Sequence, residues 1–87
     1  MQRYMVIERF REENSEAVYE RFNQAGRMLP EGLLYIDSWL CADDKQCFQL
    51  METETPELFD KWFKHWDDLV DFEVVELKEK PTGETIP

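Results

Sequence analysis

Arg3-Tyr4-Met5-Val6-Ile7-Glu8-Arg9-Phe10 is the stretch that decides the fold. Tyr4, Val6, Glu8 and Phe10 alternate with Met5, Ile7 and Arg9, and the β-branched centre favours a strand. Glu12, Glu13, Asn14 and Ser15 then break the apolar run and offer helix N-caps. Val18, Phe22, Ala25 and Leu29 follow on one stripe, with Glu16, Glu20, Asn23 and Arg27 opposite. That spacing predicts a half-buried helix ending at Pro30. Gly26 belongs near its frayed end or at a close packing contact, since glycine costs a helix interior about 1 kcal/mol relative to alanine. Leu29-Pro30-Glu31-Gly32 has the proline-second, glycine-fourth pattern of a type I turn.

Leu33 to Cys41 and Gln46 to Glu52 are two further strand-like runs, joined as an antiparallel hairpin by a polar loop around Asp43 and Asp44. Thr55-Pro56-Glu57 opens a second helix, with threonine as cap, proline at the first helical position and an acid at the positive end of the dipole. Leu58, Phe59, Trp62, Phe63 and Trp66 form its buried face, extended by Leu69 and Val70. Phe72 to Leu77 is the fourth strand. Lys78 to Pro87, with Pro81, Gly83 and Pro87, is expected to be a loose tail.

The order is β-α-β-β-α-β, an α+β chain of the ferredoxin-like kind with a four-stranded antiparallel sheet. One domain is expected over residues 1–77. Right-handed crossovers place both helices on one sheet face and the first and third strands at the centre. Met5, Ile7, Phe48 and Leu50 are uniformly apolar and are expected to meet the helices. The reverse face would then carry Tyr4, Val6, Glu8, Tyr35, Asp37, Trp39, Cys47, Gln49, Met51, Phe72 and Val74. That set is too aromatic for bare solvent and too polar for a dry core, so a two-fold dimer packed sheet against sheet is expected.

Composition narrows the function. With 20 acidic against 10 basic residues in 87, the net charge is −10, and nucleic acid is an unsuitable partner because counterion release needs clustered cations. No apolar run approaches the roughly 18 residues of a membrane span, and no basic stretch precedes an apolar one as in a signal peptide. A cytoplasmic domain is therefore expected. At 43% hydrophobic and 14% aromatic the chain builds a core despite its charge. Its size implies a net stability of roughly 5–9 kcal/mol.

Tyr19-Glu20-Arg21-Phe22, Gly26-Arg27-Met28-Leu29-Pro30-Glu31-Gly32-Leu33, Tyr35 with Ser38-Trp39, and Cys47-Phe48-Gln49-Leu50-Met51-Glu52 resemble a small bacterial family known only as a domain of unknown function. The resemblance runs from about Tyr4 to Val75. It implies a ferredoxin-like fold of the dimeric α/β-barrel type and brings no activity with it. Wider relatives of that barrel type include cofactor-free monooxygenases, haem proteins and small-molecule sensors, and no motif here selects among them.

Metal and haem chemistry find little support. The only histidine is His65 and the only cysteines are Cys41 and Cys47, without a Cys-x-x-Cys pair. A helical histidine between Lys64 and Trp66 is more often a surface or boundary residue than a haem ligand. No cofactor is expected. The two cysteines flank the hairpin loop, and in a reducing compartment they default to free thiols. A catalytic thiol would need His65 as its base, on a helix across the sheet from Cys47.

The remaining candidates have two readings each. Glu8 and Asp37 interrupt apolar or aromatic surroundings: buried, either would have a raised pKa suited to acid–base work. At a dimer rim they would be ordinary ion-paired carboxylates. Asp67, Asp68 and Asp71 belong to a solvated helix end. Arg27 either grips a carboxylate or phosphate of a small ligand or bonds the last helix carbonyls or Glu31 in a structural role. Tyr35, Trp39 and Gln49 suit an organic-ligand pocket and equally a dimer hot spot. The expected function is a homodimeric domain binding a small organic molecule through Arg27, Tyr35, Asp37, Trp39, Gln49 and Glu8, with cofactor-independent catalysis as an extension. The alternative is a non-catalytic interaction module.

Overall fold

Those elements form in the expected order, in a computed structural model that describes residues 1–78. They are β1 (Gln2–Phe10), α1 (Ser15–Ala25), β2 (Leu34–Leu40), β3 (Gln46–Thr53), α2 (Leu58–Phe63) and β4 (Val70–Leu77), with one 3-10 turn at Arg11–Glu13. The strands make an antiparallel sheet in the order β2-β3-β1-β4, so β1 and β3 are central and the chain is ferredoxin-like. The tail expected from Lys78 onward lies outside the described residues, Lys78 itself excepted. No helix among the described residues is long and apolar enough to cross a membrane.

Local chemistry explains the boundaries. The Asn14 side chain accepts a hydrogen bond from the Ala17 N–H and caps α1. The helix stops at Ala25, short of Pro30, because Gly26 takes φ 68° as its C-cap while its N–H still bonds Phe22. Leu29 packs on the core from beyond the helix rather than from its stripe. The following turn sits one residue later than its sequence suggests. Leu33 N–H donates to the Pro30 carbonyl, and Gly32 at the third position has φ 94°, the requirement of a type II turn.

Gly32 leads to a first prediction. A Cβ there would lie 3.1 Å from Leu58 Cδ1 in a backbone region that disfavours side chains. Gly32→Ala is therefore expected to lower the unfolding free energy by roughly 1–2 kcal/mol. Urea denaturation would read it, and a neutral result would mean that the turn relaxes.

α2 begins without a threonine cap. The Thr53 hydroxyl accepts from Thr55 N–H, and Leu58 and Phe59 bond back to the Thr55 and Pro56 carbonyls. Regular helix covers only Leu58–Phe63, and the chain continues to Val70 in turns whose N–H groups bond back two to four residues. Trp66 thus keeps the inward face, and Val70 already belongs to β4. Asp68 lies in this stretch and forms a two-pronged pair with Arg21 of α1 at 2.7 and 2.8 Å.

The sheet faces are the reverse of expectation. Both helices cover Tyr4, Val6, Glu8 and Phe10 of β1 with Cys47, Gln49, Met51 and Thr53 of β3. Val6 and Met51 are 0% exposed, and Tyr4 meets Phe59 edge-on at 5.2 Å. Alternation tells which residues share a face, not which face the crossovers cover. The polarity of Glu8 and Gln49 pointed outward, whereas it belongs to an internal cavity.

A β-bulge makes the second difference. Tyr35 pairs with Met51 and Asp37 with Leu50, which leaves Ile36 as the extra residue. Beyond it the alternation inverts: Ser38 and Leu40 oppose Gln49 and Cys47 on the covered face, while Asp37 and Trp39 turn to the open face. The hairpin closes with Cys41 N–H on the Gln46 carbonyl, so Cys41 opposes Gln46 and not Cys47, and both thiols are free. The open face presents Met5, Ile7, Phe48 and Leu50, half-buried, with Leu34, Trp39 and Val75 38–48% exposed. Arg3–Glu52 and Arg9–Glu73 ion pairs lie on the same face.

Candidate functional site

A cavity of about 310 Å³ lies between the covered face and the helices. Its polar floor is Glu8 of β1, Cys47 and Gln49 of β3 and Ser38 of β2. Phe22 of α1, with Trp62 and Trp66, supplies apolar wall, and Arg27 enters from the loop after α1.

Arg27 is placed by its backbone first. Gly26 and Met28 on either side both have positive φ, 68° and 60°, which bends the chain sharply. The Arg27 carbonyl accepts hydrogen bonds from the indole N–H groups of both Trp62 and Trp66, at 2.8 and 3.0 Å. Two buried indoles thereby satisfy their donors on one peptide and hold the strained loop in place. The side chain then reaches inward. Its guanidinium carbon lies 3.6 Å from the Tyr35 ring centre and 5.0 Å from that of Phe22. Nε donates to Gln49 Oε1 at 3.4 Å, while the two Nη groups donate to no described residue. The guanidinium thus bonds neither the last helix carbonyls nor Glu31, as a structural role was expected to require. The backbone carbonyl anchors the loop instead, and the side chain turns to the cavity.

Glu8 is 7% exposed, and burial pushes its carboxyl from the ordinary 4.5 up to about 7. The Gln49 side chain, the positive charge of Arg27 and the Cys47 thiol act the other way. At neutral pH this group stands between acid and base. The Cys47 thiol is pushed up to about 11 by burial and by the neighbouring Glu8, so it is no thiolate nucleophile.

Of the six residues expected at a site, Glu8, Arg27 and Gln49 meet at the cavity. Tyr35 stands behind them, stacked on Arg27 and joined to Ser38 by a 2.6 Å hydroxyl–hydroxyl hydrogen bond. Asp37 and Trp39 point to the opposite side of the sheet, and Asp37 accepts a bond from Ser38 N–H. His65 is exposed and does not line the cavity. Among the described residues no group of three or more His, Cys, Asp or Glu side chains is placed to hold a metal.

Sequence reasoning missed Ser38 and the second role of Trp62 and Trp66. The bulge hid Ser38. The tryptophans did carry a signal, since two buried indoles on one helical face require acceptors for two N–H donors.

The chain belongs to the DUF3303 family, a domain of unknown function, whose model matches residues 2–77. That span holds every residue of the cavity. No curated protein matches the chain.

Proposed function

We propose that this domain binds a small organic molecule in the cavity between sheet and helices, as a homodimer, and that Glu8 exchanges a proton with it. One observation carries this reading: a carboxyl titrating at about 7 stands in an aromatic-walled cavity beside Gln49 and Arg27. A general acid or base works best with a pKa near the working pH, and it needs neighbours that orient its partner. Gln49, Ser38 and Arg27 offer such hydrogen-bonding groups. Cofactor-independent acid–base chemistry requires no more.

The open sheet face supports the dimer. Met5, Ile7, Phe48, Leu50 and Trp39 form an apolar band across three strands, and covering it with a second copy would remove that surface from water. Sheet-to-sheet pairing is also the arrangement of dimeric α/β barrels. A second reading, a non-catalytic module whose open face docks another protein, draws on the exposure of Leu34, Trp39 and Val75.

Light scattering and tryptophan emission on wild type and Trp39→Glu separate the two. The reading predicts a wild-type mass twice that of the chain and a monomeric variant, since an unpaired charge at an aromatic anchor weakens dimerisation by about a hundredfold. Trp62 and Trp66 line the cavity, so emission should respond to members of a metabolite panel in both proteins. A monomeric wild type with silent emission would favour the docking module.

A further inference from the structure

We propose that the cavity takes an apolar, ring-bearing monocarboxylate, its carboxylate against the Nη groups of Arg27 and its ring among Phe22, Trp62 and Trp66. This rests on the cavity being a ligand site and names the ligand's chemistry.

The free donors are the starting point. Arg27 is held on three sides, by Tyr35 and Phe22 against its plane and by Gln49 at Nε, while its Nη groups have no described partner. A guanidinium fixed in this way presents its fork with little rotamer freedom left to lose, and a carboxylate matches that fork with two parallel hydrogen bonds. Charge number argues for a single carboxylate. Among the described residues, Arg27 is the one cation lining the cavity and Glu8 the one acid. A dianionic phosphate would leave a second negative charge with no cation among the described lining residues to match it. The wall argues for the rest of the ligand, because aromatic side chains favour a planar apolar body in stacked or edge contact.

A proton accompanies this anion. Glu8 faces Cys47 and Gln49 on β3, Phe72 on β4, Tyr19 on α1 and Arg27 on the loop, with uncharged Trp62 and Trp66 above. The Cys47 and Tyr19 protons are both held more tightly than usual, so Glu8 alone among these changes charge around neutrality. An arriving carboxylate takes up the Arg27 charge and sets a like charge near Glu8, which then keeps its proton. Above neutrality, ionised Glu8 competes for Arg27 and repels the ligand.

Calorimetry with 2-naphthoate and its neutral isostere 2-naphthamide tests this, on wild type, Arg27→Gln and Glu8→Gln. Near pH 6 wild type should bind naphthoate at least about tenfold more tightly than naphthamide, and its affinity should fall about tenfold towards pH 8. Glu8→Gln should abolish the fall, and Arg27→Gln should abolish the preference for the anion. Equal binding of the two probes overturns the carboxylate while leaving the ligand site standing, as does a preference that survives Arg27→Gln. No binding of either probe at millimolar concentration overturns both. Should Arg27→Gln fail to fold, the comparison of the two probes on wild type decides.

Discussion

Trp62→Ala is expected to lower the unfolding free energy by about 3–5 kcal/mol, most of what a domain of this size has. The indole is 1% exposed, within 5.7 and 5.8 Å of the Phe63 and Phe72 ring centres, and lies over a core that includes the fully buried Val6 and Met51. Truncation removes this contact area and opens a cavity beside one already present. It also removes one of the two donors on the Arg27 carbonyl, which holds a loop with positive φ at Met28. Trp62→Phe separates the contributions. It keeps an aromatic ring and loses the N–H, and Trp66 still serves the carbonyl, so the cost should be about 1–2 kcal/mol. Urea denaturation of the three proteins, with unchanged slope as a control, measures both. A loss below about 1 kcal/mol for the alanine variant would contradict this account of the core.

The second large effect is on stability against pH. Folding raises the Glu8 pKa from 4.5 to about 7, so between those values the folded chain holds a proton that the unfolded chain has released. Stability from this group is greatest below about pH 4.5, falls as the pH rises, and is fully lost above about 7. At 1.36 kcal/mol for each pH unit the loss is about 3 kcal/mol. Glu8→Gln cannot ionise. It should match wild type below about pH 4.5 and exceed it by a comparable margin near pH 8. Asp43 and Asp68, both held below the usual carboxylate range, titrate alike in the two proteins and cancel in the difference. A wild-type curve parallel to that of Glu8→Gln would remove Glu8 from any acid–base role.

The element order was legible because each signal is local. The alternation of Tyr4 to Phe10, the loop at Asp43-Asp44 and the apolar spacing from Leu58 to Trp66 each depend on neighbours only. The faces were less legible. Met5, Ile7, Phe48 and Leu50 are the more uniformly apolar set, yet they lie on the open side. Phe10, Met51 and Val70 were better guides, since their bulk continues the buried parity of Val6. The bulge at Ile36 has no glycine or proline to announce it, and it alone puts Ser38 rather than Trp39 on the covered face with Tyr35. The site was therefore half visible: Glu8, Arg27 and Gln49 stood out as polar groups among apolar ones. Asp37 and Trp39 joined them only through an alternation that the backbone breaks. The anchoring of Arg27 by two indoles needed the loop geometry, which no spacing encodes.

Carbon-13 NMR of side-chain carboxyls, with Glu8 assigned by its absence in Glu8→Gln, tests the central claim most directly. A midpoint near 7 for Glu8 is predicted, with a shift upward when naphthoate binds. A midpoint at the ordinary 4.5 would mean that water reaches Glu8 freely, and the cavity would then hold no acid poised near neutrality.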